Sequence, residues 1–129
     1  MPQIAAIATV VEHMGRTLNF YRLLGFDIPP AADTDGYVTL DLGNDLRFEW
    51  TTEAVERSLN PDWQRPTNPA RMGITLRCAN APEVDDTYHI VVNAGHTGCL
   101  EPFDAPWGSR HCRVFDPDNN PIDLFAPLP

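Results

Sequence analysis

The order of sequence patterns points to an α+β fold made of two βαβββ units, and three observations carry that expectation. Strand, helix, strand and hairpin occur twice within 129 residues. Each helical pattern runs into a glycine stop, and 13 prolines cut the chain into short elements, which runs against long bundles and coiled coils. At this length the chain forms one domain or two small halves sharing a core, and a multidomain enzyme is excluded.

Ile4 to Val11 is a run of alanine and β-branched residues and predicts a strand buried on both faces. Gly15 to Leu24 places Leu18, Phe20, Tyr21, Leu23 and Leu24 near helical spacing against Arg16, Asn19 and Arg22, so it predicts a helix stopped by Gly25. Pro29 and Pro30 are expected to prevent its resumption. Tyr37 to Leu42 and Leu46 to Thr51 alternate around Gly43-Asn44-Asp45, which predicts a hairpin with Val38, Leu40, Leu42, Leu46, Phe48 and Trp50 on its apolar face. Thr52 to Arg71, with Pro61, Pro66 and Pro69, reads as a connector holding a short helical turn around Ala54 to Ser58.

The order then restarts. Arg71 to Cys78 alternates as a strand, Pro82 to Gly95 reads as a helix, and Cys99 to Phe103 is extended up to Ala105-Pro106-Trp107-Gly108. A second hairpin follows, with arms Arg110 to Phe115 and Ile122 to Phe125 joined by Asp116-Pro117-Asp118-Asn119-Asn120. Residues 1–52 and 71–129 are thus two copies of one unit, expected to pack together within one domain, 1–129, or across a dimer.

Composition narrows the chemistry. Eighteen acidic residues face nine basic ones, all arginine, for a formal charge of -9, a balance that repels phosphate backbones and argues against nucleic acid. The same field favours cationic small molecules or simply keeps the protein soluble. Without lysine no side-chain Schiff base forms. Cys78, Cys99 and Cys112 are widely spaced and read as reduced, partly buried thiols. No signal-type N-terminal segment and no long apolar run is present, so a soluble cytoplasmic protein with no membrane partner is expected. Ser-His-Asp order, phosphate loops and G-x-G-x-x-G are absent.

Three segments in order carry a family likeness: Leu18-Asn19-Phe20-Tyr21-Arg22-Leu23-Leu24-Gly25-Phe26, then Trp107-Gly108-Ser109-Arg110, then Asp116-Pro117-Asp118-Asn119-Asn120-Pro121-Ile122-Asp123-Leu124. Together they resemble the glyoxalase, bleomycin-resistance and extradiol-dioxygenase (vicinal oxygen chelate) superfamily. The resemblance implies two modules whose eight strands curve as a mixed sheet around a cleft, often completed in a homodimer. It also implies a divalent-metal site in the family's enzymes, held by a His on the first strand of each module and by carboxylates on the last strands. Those positions fall on Ala6, Gly73 and Asp123, with Arg47 at the first-module carboxylate and Glu49 two residues later. Alanine and glycine have no lone pair to offer, so the resemblance is strongest to the metal-free branch typified by the bleomycin-resistance proteins, and neither metal nor cofactor is expected.

The candidate ligand-binding residues follow from strand alternation. Arg47 and Glu49 share a face with Thr51. Asp123 shares one with Phe125 and is expected either to meet a ligand cation or to be neutralised by Arg47. His111 lies on the face of Arg113 and Phe115 as an acid, base or hydrogen-bond donor. Trp107 resembles a structural corner tied by Arg110 and, with Tyr37 and Phe103, is a candidate aromatic wall. Trp50 reads as core, Trp63 as a cap over a cleft or seam, and His13, His89 and His96 as non-functional. The leading expectation is a metal-independent homodimer that binds a small organic molecule, such as a cationic or planar antibiotic, and sequesters it. The alternatives are a metal-dependent lyase, dioxygenase or isomerase using Glu49, His111 and Asp123, and a metal-free enzyme using His111 with a carboxylate.

Overall fold

Short elements and tight glycine or asparagine turns set the architecture, which a computed structural model describes for residues 1–67 and 71–129. The chain divides into two compact units, Met1–Asn19 with Asp27–Thr67, and Phe20–Phe26 with Asn68–Pro129. The expected connector covers residues 68–70, including Pro69, which lie outside the described residues.

In the first unit β1 (Ala6–Val11), β2 (Tyr37–Gly43) and β3 (Leu46–Thr52) form a sheet in the order β1-β3-β2. β1 runs parallel to β3, with Ala6 opposite Arg47 and Ala8 opposite Glu49, while β2 and β3 form the expected hairpin. Its turn holds Gly43, Asn44 and Asp45 at positive φ, where glycine, asparagine and aspartate are the tolerated residues. Phe48 and Trp50 stack with centroids 4.3 Å apart and are fully buried. β1 is an edge strand, so the expected burial on both faces does not hold: Ile7 and Ala8 are exposed.

Between α1 (Met14–Leu23) and β2 the chain makes a 3-10 helix, Pro30–Thr34, with proline in its first turn. The two prolines do not simply stop the chain; a missing N–H and a fixed φ suit a helix start. This helix stands where the first βαβββ copy needed a further strand, so the described residues contain seven strands and not eight. The short turn expected at 54–58 is a longer helix, α2 (Glu53–Leu59), capped by the Thr52 hydroxyl accepting from the Val55 N–H at 3.3 Å. Arg57 lies over the Trp63 ring at 5.1 Å.

The second unit carries β4 (Ile74–Arg77), α3 (Ala81–Asn93), β5 (Gly98–Ala105), β6 (Ser109–Phe115) and β7 (Pro121–Pro127), in the sheet order β4-β7-β6-β5. β4 is shorter than the expected 71–78, because its partner β7 begins with Pro121, which has no N–H to pair; pairing starts at Ile74 opposite Ile122. Alternation holds from Cys112 onward on β6 and throughout β7: Cys112, Val114, Ile122, Leu124 and Ala126 are buried, as are Val84, Tyr88 and Val91 of α3. Arg110, of the same parity, donates to Asp85 on α3 at 2.9 and 3.2 Å and to Asp104 on β5 at 3.1 Å, which ties helix, strand and corner together.

Residues 20–26 belong to this unit. Tyr21 stacks on Phe26 at 5.7 Å, Phe20 meets His96 edge-on at 5.0 Å, and the Tyr21 hydroxyl donates to Asp116 at 2.8 Å. Asp116 also accepts from the backbone N–H groups of Asp118 and Asn120 and from the Asn120 amide, so one buried carboxylate organises the whole turn.

Candidate functional site

The face of the second sheet that carries the odd-numbered residues of β6 and β7 gathers most of the candidates. Cross-strand register sets the neighbours: His111 lies between Phe103 on β5 and Phe125 on β7, Arg113 lies beside Asp123, and Asp123 lies beside Thr75 on β4.

Asp123 is the hub. The Arg113 Nε donates to one carboxylate oxygen at 2.6 Å and Nη2 to the other at 3.1 Å, while His111 Nε2 approaches the second oxygen at 2.9 Å. Burial works to raise the Asp123 carboxyl, but the hydrogen bonds and charges of Arg113 and His111 outweigh it and hold the group below the usual carboxylate range. An ionised carboxylate accepts only, so His111 Nε2 is the donor, and in the neutral ring Nδ1 is left as an acceptor. That Nδ1 is buried and has no hydrogen-bond partner among the described residues. Such an imidazole, oriented through its far nitrogen by a carboxylate, can accept a hydrogen bond or a proton. Its ring meets Trp107 edge-on at 5.7 Å and Phe103 at 6.0 Å; Trp107 itself is exposed at the β5–β6 corner.

The sequence alone sets His111 on a face with Arg113 and Asp123 on a face with Phe125, and offers Arg47 as the arginine that neutralises Asp123; the ladder brings His111, Asp123, Phe103 and Phe125 side by side and gives Asp123 another arginine. Its partner is Arg113, the residue directly across the ladder, and the signal that finds it is hairpin register. Asp123 is therefore not a spare anion for a ligand cation. Beside it opens a concavity of about 310 Å³ whose lining includes Arg71, Met72, Thr75, Arg113 and Asp123, of which Arg71, Met72 and Thr75 had not been singled out.

Arg47, Glu49 and Tyr37 lie in the first unit. Arg47 Nε donates to Glu49 at 2.8 Å, and the Glu49 and Tyr37 hydrogen bonds raise the guanidinium above its ordinary value. Alanines on β1 flank this pair, so the face offers a closed ion pair beside small side chains.

The metal site implied by the resemblance does not fit these residues. A side chain at Gly73 would place Cβ 2.9 Å from the Pro121 carbonyl oxygen, so the backbone leaves no room for a ligating residue there. Both oxygens of Asp123 already serve Arg113 and His111. Among the described residues no group of three or more His, Cys, Asp or Glu is placed to hold an ion.

The family model described as Glyoxalase/Bleomycin resistance protein/Dioxygenase superfamily matches residues 3–124. The chain belongs to that superfamily. Its fold is shared with solved superfamily structures, among them a glyoxalase/bleomycin resistance protein/dioxygenase family enzyme from Burkholderia phytofirmans (TM-score 0.78, 15% identity, 96% of this chain and 98% of that one). A glyoxalase-related enzyme from Fulvimarina pelagi superposes with TM-score 0.79 at 16% identity over 98% of this chain and 88% of that one. A hypothetical protein from S. aureus gives TM-score 0.79 at 21% identity over 98% and 94%. No curated protein matches the sequence. Among the described residues of this superfamily member no helix is long and apolar enough to cross a membrane.

Proposed function

We propose that the protein is a metal-independent binder of a small, planar organic molecule, acting as a homodimer and sequestering its ligand, an antibiotic being the expected class. The observation that carries this reading is the closed hydrogen-bonding of Asp123 to Arg113 and His111 next to the exposed indole of Trp107. A carboxylate so engaged is a poor metal ligand, whereas an edge-on cluster of Trp107, Phe103 and His111 offers an aromatic platform for a flat ring. Recognition then rests on stacking and apolar burial, at about 25 cal/mol per Å² of covered apolar surface. The net charge of -9 supplies at most a long-range attraction for cations, because on this face the arginine neutralises the aspartate.

Calorimetric titration against glycopeptide and aromatic antibiotics, with and without EDTA, tests the proposal. Binding is expected to be unaffected by chelator and weakened about fivefold or more by Trp107→Ala, equivalent to about 1 kcal/mol of stacking and burial. Stoichiometric Fe, Mn, Ni or Zn in protein purified without chelator, with binding lost on its removal, would overturn it.

A further inference from the structure

Resting on the ligand-binding reading above, we infer that the concavity between β4 and Arg113 takes the carboxylate of a small organic anion, so that the ligand's polar end is negative although the protein as a whole is acidic. Among the described residues two guanidinium groups, Arg71 and Arg113, line this space against one carboxylate, Asp123, which leaves a net positive charge locally. Asp123 is ionised and already engaged, as its depressed titration and its three contacts require.

Of the five N–H donors of an arginine, two on Arg113 serve Asp123. Among the described residues Arg113 also meets the Cys99 thiol, a weak acceptor. Donors of the fork therefore remain for a second oxyanion, and a planar carboxylate matches guanidinium geometry. Thr75, exposed and directly across the ladder from Asp123, adds a hydroxyl donor, and Met72, Ile74 and Pro121 supply apolar wall for the body of the molecule. Among the described residues, a cation entering the same space meets two like charges and no carboxylate beyond the engaged Asp123. Local field and global charge thus point in opposite directions, and at hydrogen-bond range the near groups dominate, because surface charges beyond about 10 Å are screened at 0.1 M salt.

The test uses a charge-reversed pair of equal shape, benzoate and benzamidinium, titrated separately into the full-length protein while backbone amide shifts are followed by NMR. Benzoate is expected to shift Ile74, Thr75 and Arg113 and to bind about tenfold more tightly than benzamidinium. Arg71→Gln should weaken benzoate about fivefold, and added NaCl should weaken it progressively. Benzamidinium binding these residues as tightly as benzoate, or benzoate affinity unchanged in Arg71→Gln, overturns the inference while leaving metal-independent binding intact. No shift with either probe at 20 mM, together with no binding anywhere in the antibiotic panel, overturns both.

Discussion

Replacing Tyr21 with phenylalanine isolates one buried hydrogen bond and leaves its surroundings in place. The hydroxyl donates to Asp116 at 2.8 Å, and the ring that carries it packs edge-on to Phe20 at 5.2 Å and flat on Phe26 at 5.7 Å, contacts that phenylalanine keeps. Asp116 retains its three donors from Asp118 and Asn120, so the carboxylate is not orphaned. The loss is that of one hydrogen bond to a charged acceptor, about 1.5–3 kcal/mol. At roughly 3–5 °C per kcal/mol for a chain of this size, Tm falls by about 5–15 °C. Burial first, and then the charge of Asp116, push the Tyr21 phenol far above its ordinary value. A raised folded pKa stabilises below the unfolded tyrosine value of about 10 and that stability is lost as pH rises beyond it, so the gap between wild type and Tyr21→Phe narrows above about pH 10. Scanning calorimetry measures both effects, with Tyr37→Phe, half exposed, as the baseline. A Tyr21→Phe protein that melts with the baseline variant refutes the reasoning, as does a gap that widens in alkali.

Two further outcomes follow from burial and charge. At pH 8 iodoacetamide should modify the exposed Cys99 rapidly and leave Cys78 and Cys112 nearly untouched, since burial raises both thiols, that of Cys112 to about 12; mass spectrometry showing even labelling of all three would contradict this. Asp123→Asn should cost stability at neutral pH and flatten the acid limb: a depressed carboxyl stabilises above its unfolded value near 4 and that contribution disappears as pH falls through the folded value. Urea midpoints at pH 7 and pH 3 check it, and a deficit as large at pH 3 as at pH 7 would argue against a stabilising ionised Asp123.

What could be read in advance was what local chemistry decides. Gly43-Asn44-Asp45 and Asp116 to Asn120 need positive φ or side-chain-to-backbone bonds that few other residues provide, and both hairpins form around them. Alternation likewise put His111, Arg113 and Asp123 on one face. It points to Arg47 and not to Arg113 as the partner of Asp123, because a face is a local property and a partner depends on register. The exposure of β1 escaped for a related reason: an alanine-rich run looks the same in a central and an edge strand, and only the sheet order distinguishes them. Pro30 in the sequence suggests a breaker, but its restricted φ serves a helix start as well as a stop. Arg71 and Met72 fall within the alternation over 71–78 but lie before the first paired residue of β4, and alternation alone does not mark which residues border a concavity.

The allocation of residues 20–26 to the second compact unit also bears on how the molecule can be divided. A break in the connector, the obvious place to separate two repeats, would detach the C-terminal fragment from the Phe20, Tyr21 and Phe26 rings that belong with it and leave Asp116 short of a donor. The sequence repeat and the compact unit are therefore out of phase, and a half-length gene product has to borrow a heptapeptide from the other half to be whole.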